Sequence, residues 1–259
     1  ALHPATSSCW AHAAFSALAD RIKITRGAQG PDVQLSVQHV INCGGVGTCR
    51  SGALDGPYQW LHSLSKAGGA GVAYESANAY VACSSDSPSA LCRAAMGSWD
   101  CKPENVARVC FRPRAPCVAL SRYPNATISA FGAISGASAM KREIYRRGPI
   151  SCGVDSRPLA QYTSGIAKGA SSFSDHAVSV LGWGVDPAEG EYWQVRNSWG
   201  EDWGEMGFFR LAMGPLRSLN LESHCVWAVP QDFTTQDSHL ACYADGADCR
   251  VEASLGESG

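Results

Sequence analysis

The amino-acid sequence predicts an α+β protein in which helices dominate the first half and strands the second. Apolar residues recur at helical spacing close to the N-terminus, whereas short runs of strand-forming residues separated by turns follow residue 150. The chain has 259 residues, which is enough for one large domain or for two halves packed together. We therefore expect two structural halves with a sizeable core.

The first helix is predicted over residues 8–22, where no Gly or Pro interrupts the pattern. Its apolar residues at positions i, i+3 and i+7 are Phe15, Leu18 and Ile22. A serine at position 7 or 8 can cap the N-terminus through its side-chain oxygen. Two further helices are predicted over residues 35–41 and 139–147, and a Gly-Pro pair ends the second of these.

Residues 68–124 are expected to form irregular chain held by disulfides. They contain five cysteines, many Ser, Ala and Pro residues and little periodicity. The composition shifts again beyond Pro230, towards Asp, Ser, Gly and Thr, which predicts a loose tail.

Strands are predicted over residues 177–182, 192–196 and 207–211. A Pro-Ala-Glu-Gly turn at residues 187–190 joins the first two as a hairpin. The second half is therefore expected to be built on a sheet.

Composition excludes several classes of partner. The 21 Lys and Arg residues nearly balance the 23 Asp and Glu residues, so a net charge of −2 attracts neither nucleic acid nor an anionic membrane. No apolar run approaches the roughly 20 residues that cross a bilayer, which predicts no membrane insertion. Twelve cysteines favour a secretory route, and because the chain begins at Ala1 without a signal sequence we expect a processed or truncated start.

Cys9 is the first candidate for chemistry because it lies in the first turn of the predicted first helix. There the unpaired backbone N–H groups and the positive end of the helix dipole favour thiolate over thiol. Taken alone, Cys9 is also interpretable as one end of a disulfide, which is the more usual role in a cysteine-rich secreted chain.

A histidine and an asparagine are expected to meet at the base of the predicted hairpin. His176 opens its first strand and Asn197 follows its second, and antiparallel pairing about the turn brings position 176 opposite positions 197–200. An imidazole can take the proton of a thiol, an amide on its other nitrogen fixes the tautomer, and Trp199 can shield that bond from water. A lone His or Asn is usually an ordinary polar or turn residue, but their combination with Cys9 indicates nucleophilic catalysis.

The segments SSCW around Cys9, DHA around His176 and NSWG from Asn197 resemble the papain family of cysteine proteases. Within the family the resemblance is strongest to a cathepsin branch of carboxypeptidases, in blocks such as CWAHAAFSALADRI and EYWQVRNSWGEDWGEMG. It extends from about residue 9 to residue 230 and is poor between residues 68 and 118.

The resemblance implies a papain-like two-domain fold with an interdomain cleft. Residues 1–118 would form a helical left domain with a disulfide-rich irregular segment, residues 119–230 a β-barrel-like right domain, and residues 231–259 the loose tail. No metal ion or organic cofactor is implied. A zinc site is a competing use of many cysteines, but the chain contains no C-x-x-C motif.

The resemblance also assigns roles to individual residues. Cys9 would be the nucleophile, His176 the general base and acid, and Asn197 the residue that orients the imidazole. Gly52 and Trp199 would bind substrate, Gly52 through its backbone, although Ser51 replaces the glycine that the family carries before it.

Family members place a Gln a few residues before the nucleophile, where its side chain completes the oxyanion hole. No Gln occurs in residues 1–8, and we expect it to precede Ala1. Loss of one oxyanion donor costs roughly 100- to 1,000-fold in rate in other hydrolases.

Leu2-His3-Pro4 resembles the inserted loop of the carboxypeptidase branch, although His3 lies two places nearer the cysteine. In that branch the histidine holds the C-terminal carboxylate of the substrate, and a charge-assisted hydrogen bond is a sound physical basis for this selectivity. The alternative is that His3 is a terminal residue without a role.

Family pairing implies two disulfides, Cys43–Cys83 and Cys152–Cys225, and places Thr6 where the partner of Cys49 should be. Cys49 would then be unpaired, with Cys9 as the nucleophile. Spacing suggests Cys92–Cys101, Cys110–Cys117 and Cys242–Cys249 for the remaining cysteines, but connectivity does not follow from sequence.

Asn125 begins the single N-x-S/T sequon of the chain and coincides with a glycosylation site of the carboxypeptidase branch. With the cysteine count, the resemblance implies a lysosomal or lytic-vacuole protein, or a secreted one, and we expect a monomer.

The expected function is a cysteine carboxypeptidase that removes single residues from the free C-termini of peptide or protein substrates through an acyl-enzyme at Cys9. Two alternatives stay open. One is an endopeptidase of the same fold, and the other is a catalytically impaired homologue that acts as a binding protein.

Overall fold

The computed structural model describes residues 7–87, 92, 100–110 and 117–235, and the backbone of residues 240–241 and 250–251. Within these residues the helices are α1 (Cys9–Thr25), α2 (Val37–Cys43), α3 (Gly56–Lys66), α4 (Pro103–Val106) and α5 (Ala137–Arg147), and two 3-10 turns cover Arg157–Leu159 and Leu221–Ser223. The strands are β1 (Val72–Ala73), β2 (Arg108–Val109), β3 (Val118–Ala119), β4 (Asn125–Ile134), β5 (Ile150–Val154), β6 (Ile166–Ala167), β7 (His176–Asp186), β8 (Gly190–Arg196), β9 (Phe208–Ala212), β10 (Cys225–Phe233), β11 (Leu240–Ala241) and β12 (Arg250–Val251). The predicted α+β class is confirmed.

Helix α1 covers the predicted first helix and continues to Thr25. Several of its positions are alanines that are fully buried, which lets both halves of the molecule approach the helix closely. Ser8 occupies the N-cap position, but its hydroxyl hydrogen-bonds the hydroxyl of Tyr80 at 2.7 Å instead of a helix N–H. The predicted serine cap is therefore wrong, because a tertiary contact takes the side chain.

The other two predicted helices, now α2 and α5, are observed within two residues of their expected bounds. Ser36 caps α2 by accepting the backbone N–H of His39 at 3.0 Å. Gly148 ends α5 with φ at +98°, a region that residues with a side chain rarely adopt. The sequence pattern does not predict α3, although Asp55 at its N-cap and Pro57 in its first turn are local signals of a helix start.

Eight strands form one sheet in the order β1-β4-β10-β5-β7-β8-β9-β6, and all neighbours are antiparallel except β6 and β9. The predicted hairpin is β7–β8, and the Asp186 carboxylate accepts the N–H groups of Ala188 and Glu189 in its turn. Strand β9 lies within one residue of the third predicted strand. In the described part of the chain the end strands β1 and β6 do not pair with each other, so the right half is an open sheet and not a closed barrel.

Residues 68–124 form short elements of two to four residues where the structure describes them. This agrees with the expected irregular chain. The start of the tail was predicted too early in the chain. Strand β10 continues past Pro230 to Phe233, which pairs with Ala126 of β4.

Disulfides in the described residues join Cys43–Cys101, Cys83–Cys92, Cys110–Cys117 and Cys152–Cys225. The expected pairs Cys110–Cys117 and Cys152–Cys225 are confirmed, and Cys49 is free as expected. The expected pairs Cys43–Cys83 and Cys92–Cys101 are wrong.

The physical reason for the exchanged partners lies in the contact between α2 and α4. Asn42, next to Cys43, donates its amide to the carbonyl of Asn105 at 2.8 Å, and this contact brings the nearby Cys101 to the end of α2. The Cys242–Cys249 pairing lies outside the described residues.

Buried apolar residues form two main clusters. The first joins α1, α2 and α3 to β4 and β10, and the second lies between α5 and the central strands of the sheet. Cys9 at the start of α1 and His176 at the start of β7 therefore belong to elements of different clusters.

Arg21 ties α1 to the second half. Its guanidinium is 1% exposed and donates to the carbonyls of Pro149 at 2.6 Å, Ala228 at 2.8 Å and Gly148 at 3.0 Å. It also pairs with the Glu143 carboxylate at 3.0 Å. These bonds fix the helix that carries Cys9 against β10 and the turn before β5.

Candidate active site

Cys9 lies in the first turn of α1, half-buried, where the helix meets the start of β7. The backbone N–H of Ala177 approaches its sulfur, together with the N–H groups of Trp10 and of Cys9 itself. Ala177 follows His176 directly, so the structure brings the thiol to the strand end that carries the predicted imidazole. No sequence signal points to the Ala177 N–H, because it depends on how the helix docks on the sheet.

His176 and Asn197 meet as the hairpin register predicts. The imidazole Nε2 lies 2.7 Å from the Asn197 side-chain oxygen. The same oxygen accepts the backbone N–H of Ser198 at 2.8 Å, and a backbone N–H can only donate, so the amide orientation is fixed. Nε2 must then carry a proton, which leaves Nδ1 as the basic nitrogen.

Trp199 lies against the imidazole. Ser179 pairs with Arg196 in the antiparallel ladder between β7 and β8. If the same register is continued by three residues, His176 lies opposite Trp199. The two ring centroids are 4.9 Å apart with planes tilted by 31°, and Trp203 packs edge-on behind Trp199 at 5.0 Å. This aromatic wall covers one side of the His176–Asn197 hydrogen bond.

Burial acts on both reactive groups. It raises the pKa of the Cys9 thiol, and the N–H groups of Ala177, Trp10 and Cys9 partly oppose this. It lowers the pKa of His176, while the bond to Asn197 and the charge of Asp175 act in the opposite direction. The site therefore favours neither a lone thiolate at Cys9 nor a lone imidazolium at His176.

Gly52 lies on the ring of Trp10, the residue that follows the candidate nucleophile. A Cβ at position 52 would stand 2.4 Å from that ring, so any side chain there would push the segment that carries Gly52 away from Trp10. The Trp10 indole also donates to the carbonyl of Thr48 at 3.2 Å, and this bond holds the same segment against the ring. The structure thus places Gly52 against the residue that follows Cys9.

His3 and Thr6 lie outside the described residues. Asn125 is half-buried at the start of β4, remote in sequence from the other candidates, and its amide donates to the carbonyl of Tyr123 at 2.8 Å. Cys49 is buried, and its carbonyl accepts the N–H of Ser7 two residues before Cys9.

A profile of papain family cysteine proteases matches residues 5–229. The chain belongs to the papain family. The family relatives include a protein named cathepsin Z from Onchocerca volvulus, which is 35% identical over 86% of this chain and 69% of its own length. Another is a cathepsin B-like cysteine proteinase 5 from Caenorhabditis elegans, 30% identical over 86% of this chain and 67% of the relative.

The papain-like fold is confirmed by a solved structure of the bromelain protease from Ananas comosus, which carries the E64 inhibitor. The two superpose with a TM-score of 0.65 at 25% sequence identity, over 88% of this chain and 90% of the other. The chain spans 46% of an Arabidopsis thaliana relative named probable cysteine protease RDL3.

One ion pair that lies close to the site was not predicted from the sequence. Arg196 at the end of β8 donates to Asp20 at 2.9 Å and to Ser16 at 2.6 Å, both on α1. It precedes Asn197 and therefore ties the asparagine-bearing strand to the cysteine-bearing helix. A basic residue directly before the predicted Asn197 is the signal that could have found it.

A cavity of about 300 Å³ lies beside Asn197, between α1 and the β7–β8 hairpin. The Asn197 amide nitrogen is buried, with no protein partner among the described residues. The described residues contain no cluster of three or more His, Cys, Asp or Glu side chains that could hold a metal ion. No helix in the described ranges is both long and apolar enough to cross a membrane.

Proposed function

We propose that this papain-family chain is a peptidase in which Cys9 is the nucleophile, His176 the general base and acid, and Asn197 the orienting residue. The observation that supports this best is the double use of the Asn197 oxygen by His176 and Ser198. It keeps Nδ1 free of a proton and ready to accept one from the thiol.

In the proposed reaction the thiol proton passes to Nδ1 and the thiolate attacks the carbonyl carbon of the scissile peptide bond. The imidazolium then gives its proton to the leaving amine as the C–N bond breaks, which leaves an acyl-enzyme on Cys9. Water, deprotonated by Nδ1, attacks the acyl carbon. The product acid leaves, and the proton returns to the sulfur.

Burial opposes each charge alone, so the charges must form together. Proton transfer creates an anion and a cation side by side, and at about 4 Å their attraction is roughly 4 kcal/mol for an effective dielectric constant of about 20. That attraction and the Ala177 N–H offset the cost of burying the two charges.

We further propose that the peptidase removes single residues from free C-termini. Two observations support this: the similarity to a protein named cathepsin Z, and the Leu2-His3-Pro4 segment that resembles the inserted loop of the carboxypeptidase branch. An imidazolium at His3 would bind the substrate carboxylate through a charge-assisted hydrogen bond.

The test compares one peptide as the free acid and as the C-terminal amide, with parent protein, His3→Ala and Cys9→Ser. Amidation removes about 1.5–3 kcal/mol of charge-assisted bonding, so we expect kcat/KM to fall roughly 10- to 100-fold. Cys9→Ser should be inactive on both. Equal rates on acid and amide, with internal cleavage, would assign an endopeptidase instead.

The alternative of a catalytically impaired binding protein rests on the free Cys49 and on Thr6 in place of its partner. It predicts no turnover of either peptide, together with retained binding. Reaction of Cys9 with an epoxysuccinyl inhibitor would contradict it.

We also propose a lysosomal, lytic-vacuole or secreted monomer that is glycosylated at Asn125. The Asn125 amide is engaged by Tyr123, and Thr127 of the sequon is buried, so a glycan must be added before β4 is formed. A mass shift on treatment with a glycosidase specific for N-glycans, absent in Asn125→Gln, tests the modification.

A further inference from the structure

Arg157 lies on the His176 side of the site. In the ladder between β5 and β7, Val154 pairs with His176, and Arg157 follows three residues later, a span of at most roughly 10 Å. The turn is fastened there because the Ser156 N–H donates to the Asp175 carboxylate at 2.8 Å.

A second set of contacts joins this turn to the aromatic wall. The Trp203 indole donates to the carbonyl of Leu159, two residues after Arg157, at 3.2 Å. Trp203 packs on Trp199, which lies on His176. Two independent routes therefore connect Arg157 to the imidazole.

The guanidinium is held in one orientation. The Asp155 carboxylate, 4% exposed, accepts Nε at 2.8 Å and Nη2 at 2.6 Å, and also the Ser171 hydroxyl at 2.8 Å. The Phe173 ring lies 4.6 Å from the guanidinium carbon. The Arg157 side chain is nevertheless 65% exposed.

A guanidinium has two edges that can each bind a carboxylate with two parallel N–H bonds. Asp155 occupies the edge formed by Nε and Nη2. The Nη1–Nη2 edge remains, and no acceptor among the described residues bonds to Nη1. Arg157 is thus a fixed cation with a free binding edge at the rim of the site.

We propose that Arg157 is a specificity-determining residue that binds a carboxylate on the leaving residue, the residue on the C-terminal side of the cleaved bond. The inference rests on the proposed peptidase function. Because His176 gives its proton to the leaving amine, the leaving residue must lie on the His176 side, where Arg157 is. The carboxylate is either the free C-terminus or an acidic side chain.

Two acids limit the strength of this contact. Asp155 and Asp175 lie near the guanidinium, so an incoming carboxylate meets repulsion as well as attraction. Arg157 should therefore favour a carboxylate by about tenfold in kcat/KM and not by several orders of magnitude.

The experiment uses the full chain and three N-terminally blocked peptides that differ only at the leaving residue. Gln as the free acid carries a terminal carboxylate alone, Glu amide carries a side-chain carboxylate alone, and Gln amide carries neither. The variants are Arg157→Gln, Arg157→Lys and a control, Arg146→Gln, which removes an exposed charge on α5.

We expect Arg157→Gln to lower kcat/KM about tenfold on at least one carboxylate peptide and less than twofold on Gln amide. Arg157→Lys should restore part of the loss, and Arg146→Gln should change nothing. Equal losses on all three peptides, or none on either carboxylate peptide, would overturn the proposal.

The two carboxylate peptides separate this proposal from the carboxypeptidase proposal. If parent protein cuts free acid and amide equally, carboxypeptidase action fails. Dependence of Glu amide cleavage on Arg157 would still support the inference in that case. If cleavage of Glu amide did not depend on Arg157, the inference about Arg157 would be overturned as well.

Discussion

Replacement of the buried Arg21 by Met tests whether polar bonds, and not only apolar packing, hold α1 on the second half. Arg21→Met keeps most of the side-chain volume and removes the guanidinium that donates to the carbonyls of Gly148, Pro149 and Ala228. These acceptors belong to the backbone, so no second substitution can remove them. Glu143 keeps its pair with Arg147 at 2.9 Å.

An unpaired buried polar group costs about 1–3 kcal/mol, and loss of one partner of a buried ion pair costs about 3–5 kcal/mol. We therefore expect the free energy of unfolding to fall by about 3–5 kcal/mol. At about 2–4 °C per kcal/mol for a protein of this size, Tm should fall by roughly 6–20 °C.

The measurement is denaturant unfolding followed by tryptophan fluorescence, in a Cys9→Ser background that prevents self-digestion. Arg146→Met serves as the control, since its exposed side chain should change the unfolding free energy by less than about 0.5 kcal/mol. A loss below about 1 kcal/mol for Arg21→Met would refute the reasoning and assign the stability of this contact to packing.

Three further outcomes are expected. Iodoacetamide should label Cys9, which is half-buried, in the native protein and Cys49, which is buried, only after unfolding; equal labelling of both would contradict the structure. Asn197→Ala removes a bond that raises the pKa of His176, so the imidazolium should lose its proton at lower pH and the alkaline limb of the kcat/KM profile should move towards acid; an unmoved limb would contradict the assigned orientation. Replacing Cys152 and its bonded partner by Ala opens a link with a sequence separation of 73 and should cost about 4 kcal/mol in unfolding free energy; a loss below about 1 kcal/mol would contradict it.

The meeting of His176 with Asn197 was predictable because the register of a hairpin follows from a short stretch of sequence. The turn residues fix which positions face each other, and even the bulge after Val180 shifts this by a single residue. The helix that carries Cys9 was predictable for a similar reason, since its apolar spacing is local. The family resemblance then connects the two elements.

The partner of Cys43 was not predictable, because it depends on how an irregular segment folds back over α2. Position 101 reaches Cys43 through the contact of Asn42 with Asn105, and neither residue belongs to a periodic pattern. The same limit applies to Arg21, whose acceptors are carbonyls that are distant in sequence. The acceptor of Arg157 is local, but the burial of the Asp155 carboxylate depends on tertiary packing.

The unpaired Cys49 has a consequence for the order of oxidative folding. In the nascent chain its thiol is as accessible as the others and competes for partners until the core closes over it. Loops with separations of 7 and 9 residues close quickly, so Cys110–Cys117 and Cys83–Cys92 should form first and withdraw four competitors. Cys49→Ala should therefore raise the yield of correctly oxidised protein most when folding is fast relative to disulfide exchange, because then a mispaired Cys49 has least time to be corrected.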